Sequence, residues 1–175
     1  MENEKHIELL QKILENTNMW LHFIEAKNAA LIALNIAIIT ALISGISLCE
    51  SVKLLILTIS LFFIAIVCSV ISFLPINKKM DKVVNDKIFK NLLHYAYIST
   101  LEADEYLNEI YKQYWNSNNN SVPKIEKDYC EEIVENSRIA MRKQKYFVIS
   151  IKITLIGILF ICCCYIWLYI KSLFL

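Results

Sequence analysis

The sequence predicts an all-α integral membrane protein with three transmembrane helices and a cytosolic helical bundle, formed by their extensions and an inserted helical segment. Three windows of about twenty residues are almost free of charge, the length a helix needs to cross a bilayer's hydrocarbon core. The 175-residue chain holds only two glycines and two prolines, so long uninterrupted helices are favoured over strands joined by turns.

A cytosolic amphipathic helix is predicted at the N-terminus, over residues 1–28. Its apolar side chains recur three and four residues apart, with charged residues on the other faces. No glycine or proline separates it from the first span, so one long helix is expected. Residues 16–18 are its weakest point, because Asn and Thr are poor helix formers.

The three transmembrane spans are predicted at 29–48, 54–74 and 147–170. A short loop joins the first two, so the second span returns antiparallel to the first. The second span carries no charge and ends before Pro75, which cannot continue a helix. Its end is followed by a basic cluster, which comprises Lys78, Lys79 and Lys82.

The insert 76–146 is helical by pattern, and with the N-terminal helix and the spans it is expected to form one integrated domain. Ser99 and Glu102 have the spacing of a capping box, which predicts a helix start near Thr100. Pro123 closes a polar loop and is expected to begin the last helix, which continues into the third span.

The distribution of basic residues predicts the orientation in the membrane. Of the 18 Lys and Arg residues, twelve lie in 76–146, and few lie in the two short segments on the opposite side. Since cytosolic loops are enriched in Lys and Arg, the N-terminus and 76–146 are expected in the cytosol and the C-terminus outside.

Composition and motifs argue against several functions. The net charge is +1, with no basic bias that would indicate nucleic acid. Signatures of hydrolases, nucleotide-phosphate loops, zinc proteases and dinucleotide folds do not occur, so neither an enzyme nor a cofactor or metal is expected. The triplet Cys162–Cys164 lies in an apolar run, where cysteine commonly acts as a small hydrophobe.

Four polar residues at or near membrane depth are candidates for a structural or gating role. Asn35 lies inside the first span, where an amide often bridges helices. Glu25 and Lys27 stand two residues apart, so they point to different sides of the helix and are expected to pair with other segments or to act as interfacial anchors. Lys152 lies near the start of the third span, from which its long stem can snorkel to the interface or serve a functional role.

Residues 23–35, F-I-E-A-K-N-A-A-L-I-A-L-N, resemble the segment that opens the transmembrane effectors of the Pycsar antiphage system. That pattern has an acidic residue, a small residue, a lysine, and an Asn eight residues after the lysine; here these are Glu25, Lys27 and Asn35. Asp is usual at the acidic position and Ala commonly follows the lysine, whereas this chain has Asn28. The resemblance continues through Leu74-Pro75, Glu105-Tyr106 and the basic entry to the last span.

The resemblance implies a bacterial inner-membrane effector of abortive infection. A partner cyclase would make cyclic CMP or cyclic UMP on infection, and the membrane would then lose integrity. His94, Tyr95 and Tyr97, with the basic clusters, are candidates for stacking and phosphate contacts, although an ordinary packing role is the alternative for the histidine. Glu25, Lys27 and Asn35 would hold the resting packing.

Because three spans line no obvious pore, a homo-oligomer in the lipid bilayer is expected. Two other functions stay open at this point. One is a membrane-anchored helical scaffold for another protein. The other is a holin-like toxin that acts without nucleotide control.

Overall fold

In the computed structural model, residues 2–45, 52–74, 90–115 and 122–173 are described, and these contain helices and no strand. The elements are α1 (Glu2–Ser44), α2 (Val52–Ile71), α3 (Tyr95–Ile98), α4 (Ala103–Ile110), a π-helical turn (Tyr111–Trp115) and α5 (Lys124–Leu173). Three of them, α1, α2 and α5, are long and apolar enough to cross a membrane. The predicted fold class is therefore confirmed.

Helix α1 continues through 16–18 without a break. The Nδ2 of Asn16 donates to the backbone carbonyl of Leu93 at 3.2 Å, and the Nδ2 of Asn136 donates to the Oδ1 of Asn18 at 3.0 Å. These tertiary hydrogen bonds favour the helical position of side chains whose intrinsic helix propensity is low. The expected single long helix is present.

The predicted capping box at Ser99 is wrong. Helix α4 begins at Ala103, and Glu102 precedes it as N-cap with its backbone N–H donating to the Glu105 carboxylate at 3.0 Å. Ser99 instead closes α3, because its hydroxyl donates to the Ala96 carbonyl at 2.8 Å. The capping box forms at Glu102 instead of Ser99, because Glu105 lies three positions after Glu102 and accepts from its backbone N–H.

Helix α5 begins directly after Pro123 and runs through the predicted third span, as expected.

The predictions for the basic cluster at Lys78, Lys79 and Lys82, and for the polar loop 116–121, lie outside the described residues. The predicted spans and the single integrated domain stay predictions.

The chain divides into two compact units. The polar unit comprises Met1–Ile24 and Pro75–Gln144, and the apolar unit comprises Glu25–Leu74 and Lys145–Leu175. Helices α1 and α5 each contribute residues to both units.

The polar unit has a conventional hydrophobic core. Its main cluster includes Leu10 of α1, Tyr106 of α4 and Ile133 of α5, all fully buried. The Tyr106 hydroxyl donates to the Leu92 carbonyl at 2.9 Å, and burial raises the pKa of this phenol. The polar unit is therefore stabilised by a hydrophobic core of its own.

The apolar unit has the reverse distribution. Its interior contains small and polar side chains, which are Asn28, Asn35, Thr58, Ala65, Ser69, Ser72, Ser150, Thr154 and Gly157 beside Leu31, Leu55 and Phe62. Large apolar side chains such as Phe63, Leu155 and Leu159 are exposed. Small residues inside and large apolar residues outside are the arrangement typical of helices packed in lipid.

Gly157 permits the close packing of α2 and α5. A Cβ at this position would lie 2.8 Å from the Cζ of the fully buried Phe62. Gly157→Ala is expected to lower the thermal unfolding midpoint of the detergent-solubilised protein by a few degrees, because overpacking costs about 1–3 kcal/mol.

Gly45→Ala is the matched control, since a Cβ there meets its nearest atom, the Ala41 carbonyl, at an ordinary 3.6 Å. Adding Phe62→Leu to Gly157→Ala should recover part of the loss by vacating the clash. Equal midpoints for the two alanine variants would contradict this account.

Candidate functional site

A hydrogen bond inside the apolar unit joins α1 to α5. Asn35 is fully buried, and its Nδ2 donates to the Leu31 carbonyl within α1 at 2.8 Å. Its Oδ1 accepts from the Thr154 hydroxyl at 3.0 Å. The same hydroxyl lies 3.0 Å from the Ser150 carbonyl, so its single proton is shared between two acceptors.

A second set of hydrogen bonds joins α5 to α2. The Ser69 hydroxyl donates to the Ser150 hydroxyl at 2.8 Å, and Ser150 donates in turn to the Ala65 carbonyl at 2.7 Å. Both serines are fully buried. We call Asn35, Thr154, Ser150 and Ser69 the polar ladder, since together they connect all three apolar helices.

The polar ladder is suited to fixing how the three helices pack. Its members are amides and hydroxyls, which donate and accept hydrogen bonds without carrying a charge. Hydrogen bonds between membrane helices contribute about 0.6 kcal/mol on average and about 1.7 at most. Bonds of this strength fix one packing and can still be exchanged for another.

The other candidates at the membrane entry lie apart from the polar ladder. Lys27 is half-buried, with its Nζ 5.2 Å from the centre of the Phe147 ring on α5, a cation–π distance. Glu25 is half-buried on α1, and Lys152 is exposed on α5. Of the four predicted gating residues, only Asn35 belongs to the ladder.

The candidate ligand residues on α3 are only partly brought together. His94 caps α3, with its Nδ1 accepting from the Ala96 N–H at 3.2 Å, and its ring stacks on Tyr95 at 4.7 Å. Trp20 lies 5.6 Å from the Tyr95 ring. Tyr97 packs instead against the main core of the polar unit. The capping bond gives His94 a structural task that its position in the sequence did not reveal.

The polar unit also contains an aromatic cluster around a buried carboxylate, which sequence reasoning missed. The His6 ring stacks on Trp115 with centroids 3.6 Å apart and planes 16° apart. The Tyr111 hydroxyl donates to the Oε2 of Glu126, a fully buried residue. The His6 Nδ1 lies 3.6 Å from Glu126 Oε1, beyond hydrogen-bond distance. We call these four residues the aromatic cluster.

A buried arginine, Arg138, forms a second polar network in the same unit. Arg138 is 1% exposed, and its guanidinium donates to the Glu135 carboxylate at 3.1 Å and to the Leu101 carbonyl at 2.9 Å. It also forms an ion pair with the Glu102 carboxylate at 3.1 Å. In the sequence, Arg138 is one of the twelve basic residues of 76–146 that predict the orientation. The network instead ties α5 to the segment that begins α4.

The missed residues differ in how well the sequence signals them. Ser69, Ser150 and Thr154 are hydroxyls inside otherwise apolar spans, and a search for such hydroxyls facing Asn35 would have found the polar ladder. His6 and Glu126 lie far apart in the sequence, and each fits an ordinary solvated helix face. Only the tertiary fold brings them together.

The three long apolar helices and the inverted interior of the apolar unit define a multi-span membrane protein. The chain belongs to the Pycsar effector family: the family model described as the Pycsar effector protein domain, PycTM, matches residues 9–170. No curated protein and no solved structure matches the chain.

Family membership confirms the resemblance based on residues 23–35. The protein is a transmembrane effector of a Pycsar antiphage system, within a family of membrane effectors. This family and the apolar helices point to a lipid bilayer and a nucleotide cyclase as partners.

Proposed function

We propose that this effector is activated by a cyclic pyrimidine nucleotide from its partner cyclase and then impairs the integrity of the bacterial inner membrane. The polar unit would receive the signal in the cytosol, and the apolar unit would respond by repacking its helices. The observation that carries the proposal is the polar ladder, a set of weak and exchangeable hydrogen bonds that joins three apolar helices.

The ladder supports a resting state from which the membrane part can be released. Asn35 and Ser150 are completely buried and hydrogen-bonded. An activating ligand must bind the released packing more tightly than the resting one, because equal affinity shifts no equilibrium. Because each ladder bond is weak, only a modest difference in ligand affinity between the two packings is needed.

Helices α1 and α5 supply the route for the signal. Each contributes core residues to the polar unit, such as Leu10 and Ile133, and ladder residues to the apolar unit, Asn35 and Thr154. A ligand that changes the packing of these helices in the polar unit therefore acts on the same helices that carry the ladder.

The proposed orientation follows from the charge distribution. The twelve Lys and Arg residues of 76–146 favour a cytosolic polar unit and an external C-terminus. The described parts of the three apolar helices fill their mutual interior with Phe62 and small side chains, which supports disruption of the bilayer by several chains together. We therefore propose that copies of the chain assemble to disrupt the bilayer.

The proposal is tested by recording membrane potential in cells that carry this protein with its cognate cyclase. Phage infection is expected to depolarise these cells, and cells that carry a catalytically inactive cyclase should keep their membrane potential. Infected cells that die at constant membrane potential would refute the membrane mechanism. Depolarisation without any cyclase would indicate a holin-like toxin, and a full-length protein that never affects potential would indicate a scaffold.

A further inference from the structure

We propose that Tyr111, Trp115 and Glu126 form a binding site for a single-ring aminopyrimidine base, and that His6 fills this site when no ligand is present. The inference rests on the proposed function and gives its ligand a location and a base preference. It replaces His94, Tyr95 and Tyr97 as the ligand-binding candidates.

The stacking geometry defines the slot for the base. The His6 imidazole lies parallel to Trp115 at 3.6 Å, the arrangement in which a nucleobase stacks on an indole. The Tyr111 ring stands edge-on to both, 5.6 Å from His6 and 4.6 Å from Trp115. His6 is buried while Trp115 is partly exposed, so the slot opens towards the surface along the indole.

The buried carboxylate has one acceptor position to offer. Tyr111 occupies Oε2, whereas no hydrogen bond reaches Oε1 from the described residues. The facing His6 Nδ1 likewise lacks a hydrogen bond there, and the two atoms remain 3.6 Å apart. A buried acceptor without a donor costs free energy. A ligand that donates a hydrogen bond to Oε1 removes this cost, so the bond contributes more to binding than the same bond made at the surface.

These features select the chemistry of the base. A carboxylate oxygen accepts from the exocyclic amine of cytosine, as it does when proteins read that base. Uracil presents two carbonyl oxygens beside its N–H, and these would face the negative charge of Glu126 unfavourably. The displaced side chain is a single ring, which matches a pyrimidine in size. Cyclic CMP is therefore expected to bind in preference to cyclic UMP.

Displacement of His6 gives a route by which ligand binding in the slot would change the packing of α1. His6 lies on α1, the helix that carries Asn35 further along. A base in the slot removes one of the contacts that hold this part of α1 in the polar unit, beside the core contacts of Leu10. The cost of releasing His6 is part of the ligand's apparent affinity, so removing the imidazole should strengthen binding.

The test measures the binding of cyclic CMP and cyclic UMP to the purified full-length protein in lipid nanodiscs by calorimetry. The wild-type protein is expected to favour cyclic CMP by about tenfold or more, the range of one specific base contact. Glu126→Gln should weaken cyclic CMP binding and reduce that preference, and Trp115→Leu should weaken both nucleotides by about tenfold.

His6→Ala separates a displaced ring from a merely structural one. We expect it to tighten cyclic CMP binding severalfold, whereas loss of a structural contact would weaken it or leave it unchanged. His22→Ala is the matched control, an exposed histidine on the same helix, and should bind like the wild type. Unfolding midpoints establish that each variant is folded.

The outcomes distinguish this inference from the proposed function. A wild-type protein that binds a cyclic pyrimidine nucleotide while Glu126→Gln, Trp115→Leu and His6→Ala retain its affinity overturns the site and leaves the proposed function standing. A preference for cyclic UMP overturns the contact to Glu126. Failure of the wild type to bind either nucleotide overturns both proposals.

Discussion

Arg138→Leu is expected to lower the free energy of unfolding by about 2–3 kcal/mol and the thermal midpoint by about 5–10 °C. The guanidinium is 1% exposed and satisfies the Glu135 carboxylate, the Glu102 carboxylate and the Leu101 carbonyl. Its removal leaves these acceptors without their shared donor. The two carboxylates are 27% and 48% exposed, so water recovers part of the loss and keeps it below that of a fully buried pair.

The matched control for Arg138→Leu is Lys127→Leu, which removes the same charge from an exposed position on α5. It should leave the midpoint within about a degree or two, since such surface substitutions cost little. Arg138→Lys should fall between these variants, because an ammonium cannot reproduce the guanidinium's planar fork. Identical midpoints for Arg138→Leu and Lys127→Leu would show that the network does not stabilise the polar unit.

Asn35→Leu is expected to cause partial membrane depolarisation in cells that have neither phage nor cyclase. The substitution removes the bond from Thr154 that joins α1 to α5. A bond worth about 0.6–1.7 kcal/mol changes the ratio of released to resting packing by about threefold to twentyfold. The measurement is membrane potential at matched levels of inserted protein.

A double-mutant cycle isolates this hydrogen bond from the other effects of each substitution. Thr154→Val should depolarise cells by a similar amount, and the double variant should add little, because both single changes remove the same contact. Thr40→Val is the control, since that threonine is exposed and its hydroxyl donates to the Ile36 carbonyl of its own helix. Fully additive effects would mean that Asn35 and Thr154 act independently.

The sequence determined the fold class because bilayer thickness imposes one length on every helical span and lipid excludes charge from it. The uncharged windows thus predicted three membrane-crossing helices, and the scarcity of glycine and proline predicted that α1 and α5 run on beyond them. Asn35 could also be singled out, since one amide in an apolar span has few ordinary reasons to be there. The family resemblance came from the same segment.

The tertiary structure alone decided which polar groups meet. Ser99 had a capping pattern, but Glu102 caps α4 because Glu105 reaches back to its N–H. His6 and Glu126 looked like members of solvated helix faces, yet packing of the polar unit buries them side by side. Periodicity reports which face of a helix is apolar and not which partner covers it.

The same limit applies to Asn35. The sequence determined that a polar side chain lies at membrane depth in the first span. Only the packing of α1, α2 and α5 decided that this side chain bonds to Thr154, and that Ser150 and Ser69 extend the hydrogen bonds to α2. Hydrogen bonds act over about 3 Å, a distance fixed by how three helices rotate and cross rather than by the residues of any one of them.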